Sequence, residues 1–136
     1  SKASRHIISN QDNDTIVTQQ DYVQTLNATE TDVNSGTYNM FINLTGLTTS
    51  VVIEANVVGM ENGATFSYGS KLFGVFKSVA GTVTQVGTTD LVERSDFTTA
   101  TSGFRITGSS VYLTVTGEAG TTIDWNGNWT YKILNN

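Results

Sequence analysis

The sequence contains no cysteine, no proline and a single histidine, His6. Without cysteine there are no disulfides, no thiolate zinc sites and no cysteine nucleophile, and the redox compartment leaves no mark. His6 lies in a polar stretch near the first residue, where a Ser-His-Asp triad would lack the packing that holds a base in place. It reads as a surface side chain. Charge is also scarce, at 14% of the chain against about 25% in an average domain. Lysine and arginine number 7 against 12 aspartates and glutamates, for a formal charge of -5. The clustered positive charge that displaces counterions from phosphate is missing, so nucleic acid is excluded as a partner. No apolar run approaches the roughly 18 residues that cross a bilayer, so membrane insertion is not expected. Proline commonly protects sheet edges. Without it, edges must be covered by charge, by loops or by another subunit.

What fills the chain is threonine (23), glycine (13), serine (12) and asparagine (12), with Phe 6, Tyr 5 and Trp 2 among 136 residues. At this size a single domain buries about 68% of the surface that its unfolded chain exposes, enough for a core. The dominant period is two. Tyr38, Met40, Ile42 and Leu44 alternate with Asn39, Phe41 and Asn43; Val111, Leu113 and Val115 with Tyr112, Thr114 and Thr116; Trp129, Tyr131 and Ile133 with Thr130, Lys132 and Leu134. Such alternation of branched and aromatic residues predicts half-buried strands. Residues 51–58 and 72–79 are apolar on both faces, as in central strands or strands facing a partner. Turn signals fall between, at Ser35-Gly36, Gly46, Asn62-Gly63, Gly69, Gly81, Gly87, Gly108, Gly117, Gly120 and Asn126-Gly127, because glycine and asparagine accept positive φ. The expectation is an all-β antiparallel β-sandwich or jelly roll of eight to ten strands. No convincing helix is present. Residues 1–34 read as an extended N-terminal arm with a first short strand, and residues 35–136 as the sandwich. No basic start followed by an apolar stretch marks a signal peptide.

Nucleophile signatures are missing. There is no G-x-S-x-G elbow and no S-x-x-K, since Tyr68, Gly74 and Trp129 stand three residues before Lys71, Lys77 and Lys132. Paired carboxylates remain, with Asp90, Glu93 and Asp96 in a loop-like segment and Glu118 and Asp124 near glycine turns. Nothing in the sequence forces one of them into an apolar pocket, and they read as solvated loop charges. Asn10, Asp12, Asp14 and Asp21 mimic four ligand positions of a calcium loop. Thr15 stands where the sharp turn needs glycine and an aspartate where a bidentate glutamate is usual, so the stretch reads as a solvated arm. The expectation is therefore no enzyme, no metal and no cofactor. The sequons at Asn13, Asn27, Asn43 and Asn128 match the about three that chance supplies in so Asn- and Thr-rich a chain. Trp125, flanked by Asp124, Asn126 and Asn128 at an apparent turn, is a candidate contact. An indole stacks on a sugar while amides and a carboxylate bond its hydroxyls, or the same group packs against another subunit.

The segment from Gly81 to Leu134 resembles a recurrent C-terminal module of bacteriophage virion proteins of tail-fibre, appendage and decoration type. The matching pieces are Gly81-Thr82-Val83-Thr84-Gln85-Val86-Gly87, an acidic loop near Glu93, a strand from Phe104 to Thr107, and Val111-Tyr112-Leu113-Thr114-Val115-Thr116-Gly117. Ala119-Gly120-Thr121-Thr122-Ile123-Asp124-Trp125 and a last strand follow, and the Leu72 to Lys77 strand entering the Gly81 turn also fits. The run V-T-G-x-A-G-x-T-I-x-W joins a strand end, a glycine turn and a tryptophan in fixed order. The resemblance implies a structural β-sandwich that carries no active site, is made in the host cytoplasm and is released by lysis. It implies assembly into homo-oligomers, commonly a homotrimer, that bury strand edges and apolar faces.

Residues and resemblance together predict a non-enzymatic virion protein, a capsid or tail decoration or a fibre module, binding copies of itself and other virion proteins. Ile7, Ile8, Ile16 and Val17, interleaved with polar residues, suit an assembly arm that adds a strand to a neighbour. The alternative expectation is host attachment through a surface glycan held by Asp124, Trp125, Asn126 and Asn128.

Overall fold

The computed structural model describes residues 4–10, 15–21, 26–28 and 35–135, with side chains over 41–134. Among these there is no helix, and ten strands run in order: β1 (Ser4–Asn10), β2 (Thr15–Asp21), β3 (Leu26–Ala28), β4 (Ser35–Asn43), β5 (Thr49–Glu61), β6 (Ser67–Val79), β7 (Thr82–Ser95), β8 (Thr101–Thr107), β9 (Ser110–Thr116) and β10 (Ile123–Asn135). They form two antiparallel sheets, as the sequence predicts. The large sheet has seven strands in the order β1-β2-β10-β5-β6-β7, with β3 also on β10, and the small sheet has three in the order β4-β9-β8. The stretch expected as an arm contributes β1, β2 and β3, and β2 pairs with β10 of the same chain.

The core lies between the sheets and follows the period-two pattern. Val51, Ile53, Ala55 and Val57 point inward from β5, Tyr68, Leu72 and Phe76 from β6, and Ile123, Trp125 and Trp129 from β10. From the small sheet Ile42, Val111, Leu113 and Val115 meet them. Glycine matters where the largest side chain lands. A Cβ on Gly59 would lie 2.8 Å from Trp125 Cε3, so its bare backbone is the floor on which the indole rests. Tyr68 closes the other side edge-on, its ring 5.2 Å from the indole.

The turn signals divide. Gly46, Gly63, Gly81, Gly108 and Gly120 take positive φ in tight connections. Ser35-Gly36, Gly69, Gly87 and Asn126-Gly127 instead lie inside β4, β6, β7 and β10. Gly127 is buried between the two inward indoles, where a larger side chain would compete with them for the same core face. The acidic segment is likewise strand and not loop as far as Ser95, because β7 continues along β6 to pair Ser95 with Tyr68.

Candidate functional site

β10 separates the group that the sequence put together. Successive strand side chains point to opposite faces, so Trp125 goes to the core while Asp124, Asn126 and Asn128 go to the outer face of the large sheet. Trp125 is 0% exposed and Trp129 1%. No sugar reaches the Trp125 ring, and the stacking platform expected there is corrected to a core anchor. The outward three remain as a half-buried polar row. Asp124 Oδ2 accepts from Asn62 Nδ2 at 3.1 Å, and Asn128 Oδ1 accepts from Asn56 Nδ2 at 3.4 Å.

The other carboxylates are dispersed. Glu93 points between the sheets, where its Oε2 accepts from the Tyr68 hydroxyl at 2.6 Å and from Thr101 Oγ1 at 3.0 Å. Ser102 Oγ lies 2.8 Å from both the Tyr68 hydroxyl and Ser70 Oγ, which completes a buried polar knot. Burial, and then the bond to Glu93, push the Tyr68 phenol above its ordinary pKa. Asp96 Oδ2 accepts from the Ser67 backbone N–H at 3.1 Å. Glu118 Oε1 accepts from the backbone N–H groups of Thr98 at 2.6 Å and Thr99 at 2.7 Å. Those bonds, that of Thr99 first, hold its carboxyl below the usual glutamate value. Asp90 faces outward, opposite Phe73.

Asn43 Oδ1 accepts from the Thr45 backbone N–H at 3.0 Å and from Thr45 Oγ1 at 2.6 Å, so this sequon closes a local turn. Among the described residues, no group of three or more His, Cys, Asp or Glu is placed to hold a metal. Asp12 and Asp14 lie outside the described residues, and so do the side chains of His6, Ile7, Ile8, Ile16 and Val17.

Among the described residues the fold leaves open the outer face of the large sheet, and the ladder register orders it into rows. One row is Lys132, Val52, Val75 and Val86, across β10, β5, β6 and β7. Val86 is 49% exposed, and exposed Val79 and Leu134 lie at the same end of the face. The next row is Thr130, Glu54, Phe73 and Asp90, and the one after it Asn128, Asn56, Lys71 and Val92. Beyond these lie Asn126, Val58, Gly69 and Arg94. Past the aliphatic row lie Leu134, Ser50, Lys77 and Thr84, so the face is richer in aliphatic side chains at this end and mixed polar and apolar at the other. The sequence signals apolar character on both sides of β5 and β6, but it does not signal this segregation, which arises from pairing.

Between Phe73 and Val75 the β6–β7 register shifts, so two steps along β6, from Phe73 to Val75, answer four along β7, from Asp90 to Val86. Gly87 takes φ 74° in this bulge, and Gln85 Nε2 donates to Thr89 Oγ1 across it at 2.8 Å. Beside the bulge a groove of about 400 Å³ opens on the outer face around Phe73.

No protein-family model and no curated protein matches the chain. Among solved structures, the chain is similar to the tailspike protein of Acinetobacter baumannii phage AM24, with a TM-score of 0.44 and 11% identity over 85% of this chain. The match spans 25% of that tailspike chain.

Proposed function

We propose that the chain is a non-enzymatic structural or adhesive module of a bacteriophage particle, a capsid or tail decoration or part of a fibre. It assembles with copies of itself, as a homotrimer in the form the sequence resemblance implies, and with neighbouring virion proteins. The observation that carries this reading is the aliphatic row Val52, Val75 and Val86, with exposed Leu134 and Val79 beyond it around Lys77, on a sheet face that nothing among the described residues covers. Contiguous exposed apolar surface marks an interaction site, and covering a half-exposed valine gains roughly 1 kcal/mol. Lys132 ends the row on β10 and Lys77 stands in the next row beside it, as charged side chains border an apolar contact. The residues expected as an assembly arm sit on β1 and β2, and β1 is an outer strand of the same sheet. A neighbour's strand added there would extend the ladder. Glu93, Asp96 and Glu118 are engaged in bonds that hold strands and loops, which fits a binding role better than acid–base work.

Antibodies raised against the purified chain should decorate phage particles when seen by negative-stain microscopy. Signal confined to particle-free fractions refutes the virion assignment. Sedimentation velocity should show an oligomer that Val86→Lys dissociates with no change in circular dichroism. A monomeric wild-type chain refutes assembly through this face.

A further inference from the structure

The geometry points to a saccharide-binding groove at the mixed end of the outer face, centred on Phe73. The inference rests on reading the chain as an adhesive surface and names what that surface holds. Phe73 is 39% exposed on a strand whose neighbours Leu72 and Gly74 face the core. Its ring therefore adds little to the interior and lies open to a ligand. Glu54 on β5 and Asp90 on β7 stand in register on its two sides. Two strand spacings separate them, about 9.5 Å. That spacing admits one pyranose ring over the phenyl, with a hydrogen bond of about 2.7 Å to a carboxylate at each side. In the adjacent row Asn56 and Lys71 supply donors, and Val92 closes the groove on the β7 side.

A pyranose has one apolar C–H face and a rim of hydroxyls that donate and accept. An aromatic floor with carboxylates, an amide and an ammonium around it answers both features. The volume of about 400 Å³ falls in the range of small-ligand sites, about 300–1,000 Å³. The β7 bulge is a second, independent observation. Bulges bend a strand and re-aim its side chains, and they concentrate beside binding sites. This one begins at the residue opposite Phe73, so it sets the direction of Asp90.

Two carboxylates against one ammonium give the groove a negative balance, which favours a neutral or amino sugar over a polyanion. Asn56 reaches Asn128 on β10, and Asn126 follows on the same face. A second sugar unit would lie along these amides, beyond the lining of the groove itself, while Phe73 takes the place of Trp125 as the platform.

The test is saturation-transfer NMR on the full chain with a fixed panel: oligosaccharides of glucose, galactose and mannose, their N-acetylhexosamine counterparts, and one sulfated oligosaccharide. At least one neutral probe should receive saturation, strongest on the protons of one ring face. Phe73→Ala should abolish the transfer while the melting curve stays that of wild type. Glu54→Gln and Asp90→Asn should each weaken binding about tenfold. Thr107→Lys, exposed on β8 of the small sheet, should bind as wild type does. A monomeric wild-type chain that binds a sugar would remove the assembly reading and leave the groove standing. No transfer to any probe, transfer undiminished by Phe73→Ala, or binding of the sulfated probe alone would overturn the groove.

Discussion

Gly59→Ala tests the packing on which the whole outer face depends. The added Cβ would sit 2.8 Å from Trp125 Cε3, 2.9 Å from Cζ3 and 3.1 Å from Ile123 Cγ2. The indole has little room to retreat. It is buried, and Tyr68 packs edge-on against it with 70° between the planes. Tyr68 is fixed in turn by Glu93 and Ser102. Overpacking of this kind costs about 1–3 kcal/mol, or a fall in melting temperature of about 3–10 °C for a chain of this length. Equilibrium urea unfolding followed by tryptophan fluorescence should move its midpoint down by roughly 1 M. Gly69→Ala is the internal control, since Gly69 pairs with Val58 on the next strand and a Cβ there meets nothing within 4 Å. Alanine should raise stability there by about 0.5–1 kcal/mol, because glycine in a strand interior loses more conformational freedom on folding. Midpoints that move together for the two variants, or a Gly59→Ala midpoint equal to that of wild type, would refute the placement of the indole on that glycine.

Tyr68→Phe leaves Glu93 and Ser102 short of a partner and should cost about 1–3 kcal/mol in the same urea assay. Because the folded phenol titrates above its unfolded value, its stabilisation is full below about pH 10 and is lost as pH rises past it. The variant should therefore lack that alkaline decline. Glu118 has the opposite sign: its folded pKa is depressed, so its contribution is present above about pH 4.3 and disappears as pH falls through the folded value. Glu118→Gln should flatten the acid limb of stability against pH, and a limb of unchanged slope would show that the bonds to Thr98 and Thr99 do not govern it.

Period-two alternation was legible throughout. It sorted the described side chains of β9, β10 and the end of β4 onto opposite faces and gave the two-faced apolar character of β5 and β6 and the all-β class, because strand geometry sends neighbouring side chains to opposite faces whatever surrounds them. Five glycine turns were legible for the same local reason, since positive φ is a property of the residue and its peptide units. Asn126-Gly127 looked the same in one dimension yet continues a strand, because β5 supplies a complete ladder on one side of it. Alternation also leaves undetermined which of two faces is inside. That choice sent Trp125 to the core and Asp124, Asn126 and Asn128 outward, and it took Glu93 from a supposed loop into a buried knot. The groove at Phe73 is the clearest product of tertiary structure. Glu54, Phe73 and Asp90 are far apart along the chain and meet only through pairing register, and register depends on the chain as a whole.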